Sequence, residues 1–141
     1  MPTALIRQRG AVAVEFALVT LLFLALVIAV IEFARVMFIY STAVETTRLG
    51  ARIATVCNVG DADKVKARMK HMLPLLEPAN ILMTYPAAGC SAATCDPVTV
   101  SIQNLTVTTA IPLLPLTFPV PAFPTSLPGE SLDSTNNALC D

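Results

Sequence analysis

The residues in this sequence that could do chemistry are one misplaced carboxylate, a pair of arginines before it, and four cysteines. Glu15 is the single charge between Ala11 and Ile31. A carboxylate at the centre of a membrane helix costs about 2.5–3.5 kcal/mol on insertion scales, so such a residue is a functional candidate unless it lies shallow enough to reach water. Glu15 is near one edge of its segment, so both readings stand. Arg7 and Arg9 precede it, with no acidic residue before them. Cys57, Cys90, Cys95 and Cys140 all follow the apolar segment. An even number of cysteines on an exported side suggests disulfides. Cys90 and Cys95 bracket a short loop and are the favoured pair, which leaves Cys57 with Cys140. Four cysteines nevertheless allow three connectivities.

Other chemistry finds little support. The cysteines form no C-x-x-C and have no histidine near them, so a metal site is not expected. The five glycines make no phosphate cradle, and no nucleophile–base pair is visible. His71, the lone histidine, has no sequence partner. Nine basic and ten acidic residues leave a net charge of −1, against the basic surface a nucleic-acid binder needs. No enzyme activity, no cofactor and no nucleic-acid partner is expected.

The element that must position Glu15 is an apolar helix. Apolar residues make up 55% of the chain and charged residues 13%, which excludes an ordinary cytosolic domain. Phe16 to Ile31 carries no charge at all. Counted from Ala11, the segment would reach about 31 Å as a helix, close to the hydrocarbon thickness of a bilayer. A buried core helix would be shorter. A cleaved secretory signal would need a small-x-small site soon after the apolar run, and the nearest, Ser41-Thr42-Ala43, lies past Glu32 and Arg35. Arg7 and Arg9 place the N-terminus in the cytoplasm by the positive-inside rule and the remainder outside.

The order Arg7-Gln8-Arg9-Gly10, then Ala11-Val12-Ala13-Val14-Glu15-Phe16, resembles a type IV prepilin processing site. Such a site has a short basic leader ending in Gly, and an apolar helix with Glu at its fifth mature position. The Glu15-Phe16 pair and the Ala- and Arg-containing helix that follows are similar to the TadE-like family, minor pilins or pseudopilins of the tight-adherence (Tad/Flp) pilus system. This resemblance, over about residues 7–56, implies cleavage between Gly10 and Ala11 by a prepilin peptidase. It also implies assembly through the N-terminal helix with other pilins or pseudopilins, and a bacterial inner-membrane location with the C-terminal domain periplasmic or extracellular. Glu15 of one subunit would then pair with the new Ala11 amine of a neighbour, and Ala13/Ala17 and Ala25/Ala29 would permit close helix contact. The alternative is a permanently anchored single-pass envelope protein whose exported domain binds a ligand or partner.

The expected fold is α+β: a long membrane-spanning helix continuing into a small exported domain with a short helix, a few antiparallel strands and a proline-rich strap. The segments are a cleaved leader 1–10, a helix 11–56 with its membrane part about 11–31, an exported domain 57–128 and a polar tail 129–141. Ser41, Glu45, Arg48 and Arg52 mark the polar face of the outer helix, and Gly50 is a candidate bend. Asp61 or Asp63 caps a second helix that Pro74 ends. Ile81–Tyr85, Val98–Ile102 and Leu105–Thr109 read as strands, and the alternation slips phase at Gln103-Asn104, which implies a bulge or turn. The six prolines between Pro112 and Pro128 exclude a central strand or a helix there. The tail, apart from Cys140, is expected to be mobile.

Overall fold

The computed structural model describes residues 3–111 and 114–140, with side chains from Gly10 onward. Pro112 and Leu113, at the start of the proline-rich strap, lie outside the described residues. The chain divides into two units, one ending at Val36 and one beginning at Met37.

One helix, α1, runs Thr3–Val56. It starts before Ala11, because Ala4, Leu5, Arg7 and Gln8 are good helix formers and nothing before Gly10 interrupts them. From Phe16 to Ile31 it is apolar on every side. Val12, Phe16, Leu18, Leu22, Phe23, Leu26 and Ile31 are all exposed. A helix apolar all round is stable only inside a larger core or a membrane. The stretch is long and apolar enough to span a bilayer, and its most apolar window has none of its surface buried within the protein. Beyond the charge-free run, Arg35 Nε and Nη2 donate to Glu32 Oε1 at 3.2 and 2.8 Å, one helical turn apart.

In the second unit α1 becomes one-sided. Ser41, Glu45, Arg48 and Arg52 are exposed, while Ala43, Thr46, Thr47, Gly50, Ala51, Ala54 and Cys57 are buried. The buried threonines satisfy their hydroxyls on the preceding turn: Thr46 donates to the Thr42 carbonyl, Thr47 to that of Val44 and Thr55 to that of Arg52. Small side chains let neighbouring elements approach the helix closely. Gly50 serves this purpose, and the helix continues through it.

A 3-10 turn over Val59–Asp61 leads to helix α2, Ala62–Met72, which buries Val65 and Met69. Asp61 holds the N-cap position but makes no side-chain capping bond. Its carboxylate takes the Ser134 hydroxyl and Lys64 instead. Leu73 is extended, as the residue before Pro74 must be, and α2 ends there.

Five short strands follow: β1 Ile81–Thr84, β2 Val98–Ile102, β3 Thr106–Thr108, β4 Thr117–Pro119 and β5 Thr125–Leu127. They form two antiparallel sheets, β1-β2-β5 and β3-β4. Central strand β2 buries Val98, Val100 and Ile102 on one face. The phase slip lies between the sheets: Asn104 takes a positive φ of 52°, which turns the chain from one sheet into the other. The Asn80 side-chain amide donates to the carbonyls of Gln103 and Asn104 and holds that turn. The strap is not wholly irregular, since β4 and β5 both arise within it. Both are outer strands of their sheets, where proline is tolerated.

The tail differs from the mobile segment expected. Its amides cap the C-terminal end of α1: Glu130 N donates to the Thr55 carbonyl at 3.0 Å and Asp133 N to that of Val56 at 2.9 Å. The Ser131 hydroxyl also donates to Val56 O, and Leu132 is buried. The last carbonyls of a helix have no partner within it, so a polar strand arriving beside them is held.

Candidate functional site

The N-terminal site is a linear arrangement on α1. Gly10 lies inside the helix, and a Cβ placed there would meet nothing within 4 Å. Close packing therefore does not require glycine at this position. What glycine supplies is a weak point in the helix, about 1 kcal/mol less helical than alanine, and a backbone that extends readily. Ala11 and Glu15 stand one helical turn apart, and both are exposed. Phe16 is 71% exposed, among the most exposed apolar residues of the helix. The side chains of Arg7 and Arg9 lie outside the described residues. The N-terminal segment thus presents a glycine, a carboxylate and an exposed apolar surface in one short stretch.

The structure brings the four cysteines together in two pairs. Cys57 and Cys140 have Cα atoms 5.6 Å apart and Cys90 and Cys95 5.2 Å apart, and both pairs are bonded. The first ties the end of α1 to the tail. The second closes the loop before β2, which is itself tied to the strap: Gly129 N donates to the Cys95 carbonyl at 2.9 Å. The Asp96–Pro97 peptide bond is cis.

Several residues that position the second unit carried no signal in sequence alone. The Tyr40 hydroxyl donates to the Pro119 carbonyl at 2.8 Å, and its ring meets Phe123 edge-on at 6.3 Å. The Ser134 hydroxyl donation, followed by Lys64, holds the Asp61 carboxyl below the usual carboxylate range. Asp133 is held low in the same way by the hydroxyl and amide of Thr135. Half-burial pushes the Tyr85 phenol up. These are links between distant segments, visible only once the chain has folded.

The second unit also carries a groove. Leu49 and Ile53 of α1, Ala67 and Met72 of α2, and Leu139 of the tail form its apolar lining, with Lys64, Arg68 and His71 beside them. The Arg68 guanidinium donates to the Ala138 carbonyl at 3.3 Å, so part of this basic edge also holds the tail. Among the described residues no cluster of His, Cys, Asp and Glu could hold a metal ion.

No curated protein and no solved structure matches the chain. One family model does, that of TadE-like protein, over residues 10–52. The match begins at Gly10, takes in Glu15 and Phe16, and ends on the one-sided part of α1. Its limits follow the segment whose residues carry the resemblance, and it leaves the strands, the strap and the tail outside. Over these residues of its long N-terminal helix the chain is similar to the TadE-like family.

Proposed function

We propose that the chain is a structural pseudopilin, or minor pilin, that serves biogenesis or priming of a Tad-type adhesive pilus. A prepilin peptidase removes residues 1–10 by cutting between Gly10 and Ala11. The observation that carries this reading is the pairing of an all-round apolar, uncovered helix with a carboxylate five residues beyond Gly10, inside the TadE-like match. An uncovered helix of this kind needs lipid before assembly and neighbouring helices after it. Glu15 is costly in lipid and becomes useful when a neighbour's Ala11 amine is near it, because pairing removes the penalty of a lone charge and sets axial register. Arg7 and Arg9 keep the scissile bond at the cytoplasmic face of the inner membrane, and the second unit lies outside it. The partners are the peptidase, inner-membrane lipid and the N-terminal helices of other pilins or pseudopilins.

A second reading is a permanently anchored single-pass envelope protein whose outer unit binds a ligand or partner. The groove lined by Leu49, Ile53, Met72 and Leu139 favours it. The N-terminus of the protein purified from membranes decides between them. Ala11 at the N-terminus supports the pseudopilin reading. An N-terminus at Met1, in cells that contain the peptidase, supports the permanent anchor.

A further inference from the structure

The basic residues of the second unit are gathered at the end of α1 and on α2. Arg48, Arg52, Lys64, Lys66, Arg68 and Lys70 are the only Lys and Arg from Met37 to Asp141, and from Pro74 onward the chain has five acidic residues and no basic one. Helix α2 carries four Lys or Arg against Asp63 alone. Lys66 and Lys70 lie off the groove and are neutralised locally, by Asp63 at 3.8 Å and Glu77 at 3.1 Å. Lys64, Arg68 and His71 line the groove. Lys64 shares the Asp61 carboxylate, at 3.3 Å, with the Ser134 hydroxyl. Arg68 bonds the neutral Ala138 carbonyl, and neither Arg68 nor His71 meets a carboxylate among the described residues.

The groove has a volume of about 630 Å³ and is lined by α1 and α2, with Leu139 of the tail as a third wall. Ile53 is 5% exposed at its floor, whereas Leu49 at 37%, Met72 at 39% and Leu139 at 55% present open apolar walls. Two links fix the tail wall, one on each side of Leu139: the Arg68 bond to Ala138 and the Cys57–Cys140 disulfide. A wall already held in place loses little freedom when something docks against it.

Lys64, Arg68 and His71 stand at i, i+4 and i+7, so they form one row along α2, roughly 10 Å long at helical rise. A single anionic head meets one or two members of such a row. Carboxylates at the same spacing on a helix laid beside α2 meet all three, while an apolar stripe next to them enters the groove. This chain does not supply that helix. Its α1 holds Glu15, Glu32 and Glu45, each more than three turns from the next, and α2 holds Asp63 alone. We propose that the groove docks an amphipathic helix of a different protein, with its apolar stripe over Ile53 and between Leu49 and Met72, and a row of Asp or Glu facing Lys64, Arg68 and His71. This docking gives a partner class to the groove on which the second reading above rests. It holds equally for a pseudopilin, and leader cleavage neither supports nor weakens it.

The probe is a phage-displayed library of helical peptides about five turns long, randomised at their surface positions. It is selected on the full-length protein in phosphatidylcholine nanodiscs, after removal of binders to empty nanodiscs. The expected peptides carry an apolar stripe flanked by Asp or Glu at i, i+4 and i+7. As free peptides they lose about tenfold in affinity with Arg68→Glu and change less than about twofold with Lys66→Glu, which makes the same charge change off the groove. Because Arg68 also holds the tail, Lys64→Gln is read beside it and weakens binding by about threefold. Met72→Ser, on an exposed wall, weakens it with no change of charge. Selected peptides without an acidic row overturn the proposal, as does a library that yields nothing beyond empty nanodiscs. Affinities that fall equally with Arg68→Glu and Lys66→Glu overturn it too, in favour of unspecific attraction to a basic surface. Self-association of the full chain that Arg68→Glu abolishes overturns it in favour of a second copy. The N-terminus of the same preparation tests leader cleavage separately.

Discussion

A Cβ built on Gly50 of α1 would stand 2.5 Å from the Met69 sulfur of α2. The two helices meet across a residue with no side chain, and Met69 is fully buried in the space this leaves. Gly50→Val should destabilise the second unit by about 1–3 kcal/mol through overpacking, partly offset by the better helix propensity of valine. Thermal unfolding of the detergent-solubilised protein measures it. An unchanged unfolding temperature would mean that Met69 moves aside at no cost. Insertion of the apolar run should be unaffected, since Gly50 lies well outside it.

The two disulfides should contribute unequally. Cys57–Cys140 closes a separation of 83 residues and Cys90–Cys95 one of 5. In the chain-entropy account the longer loop contributes roughly 4–5 kcal/mol and the shorter about 2 kcal/mol. Cys57→Ser/Cys140→Ser should therefore lower the unfolding temperature more than Cys90→Ser/Cys95→Ser. It should also release the tail from the Thr55 and Val56 carbonyls, read as faster amide exchange at Glu130 and Asp133. Equal effects from the two double variants would show that local strain or residual structure outweighs loop length.

Asp61 should make the second unit acid-sensitive. Its carboxyl is held low in the folded protein by the Ser134 hydroxyl and Lys64. A depressed folded value means that the unfolded chain binds the proton more readily. The stabilisation is thus complete above the ordinary carboxylate range and is lost as pH falls through that range towards the folded value. Asp133, held low by Thr135, acts in the same direction. Ser134→Ala should flatten the fall in urea midpoint on acidification. A pH profile that overlays the unsubstituted protein would show that the Ser134–Asp61 bond does not contribute in solution.

Glu15→Ala should impair pilus assembly more than insertion or processing. Removing the carboxylate makes the span more apolar, so insertion should improve if anything. Complementation that scores pili together with the level of mature protein separates the steps. Processed protein without functional pili is the expected outcome, and normal pili would show that the carboxylate is dispensable.

Local pattern alone determined the long apolar helix, its charged edge at Glu32 and Arg35, the polar stripe from Ser41 to Arg52, and the strand over Val98–Ile102. Each is a matter of periodicity or of a run of one residue type, and both are properties of neighbours in the chain. The TadE-like match lies wholly in that part. Tertiary structure decided everything that depends on distant partners. Gly50 reads as a helix-weakening residue until Met69 is seen against it. The tail reads as free until its amides are found on the last carbonyls of α1, some 75 residues earlier in the chain. Prolines at 112–128 exclude a central strand, but whether such a segment pairs at a sheet margin depends on which strand lies beside it. Here β2 and β3 supply those margins and Tyr40 holds the strap to α1. Periodicity encodes which side of an element is apolar; what covers that side is set by the closure of long loops, which leaves no local trace.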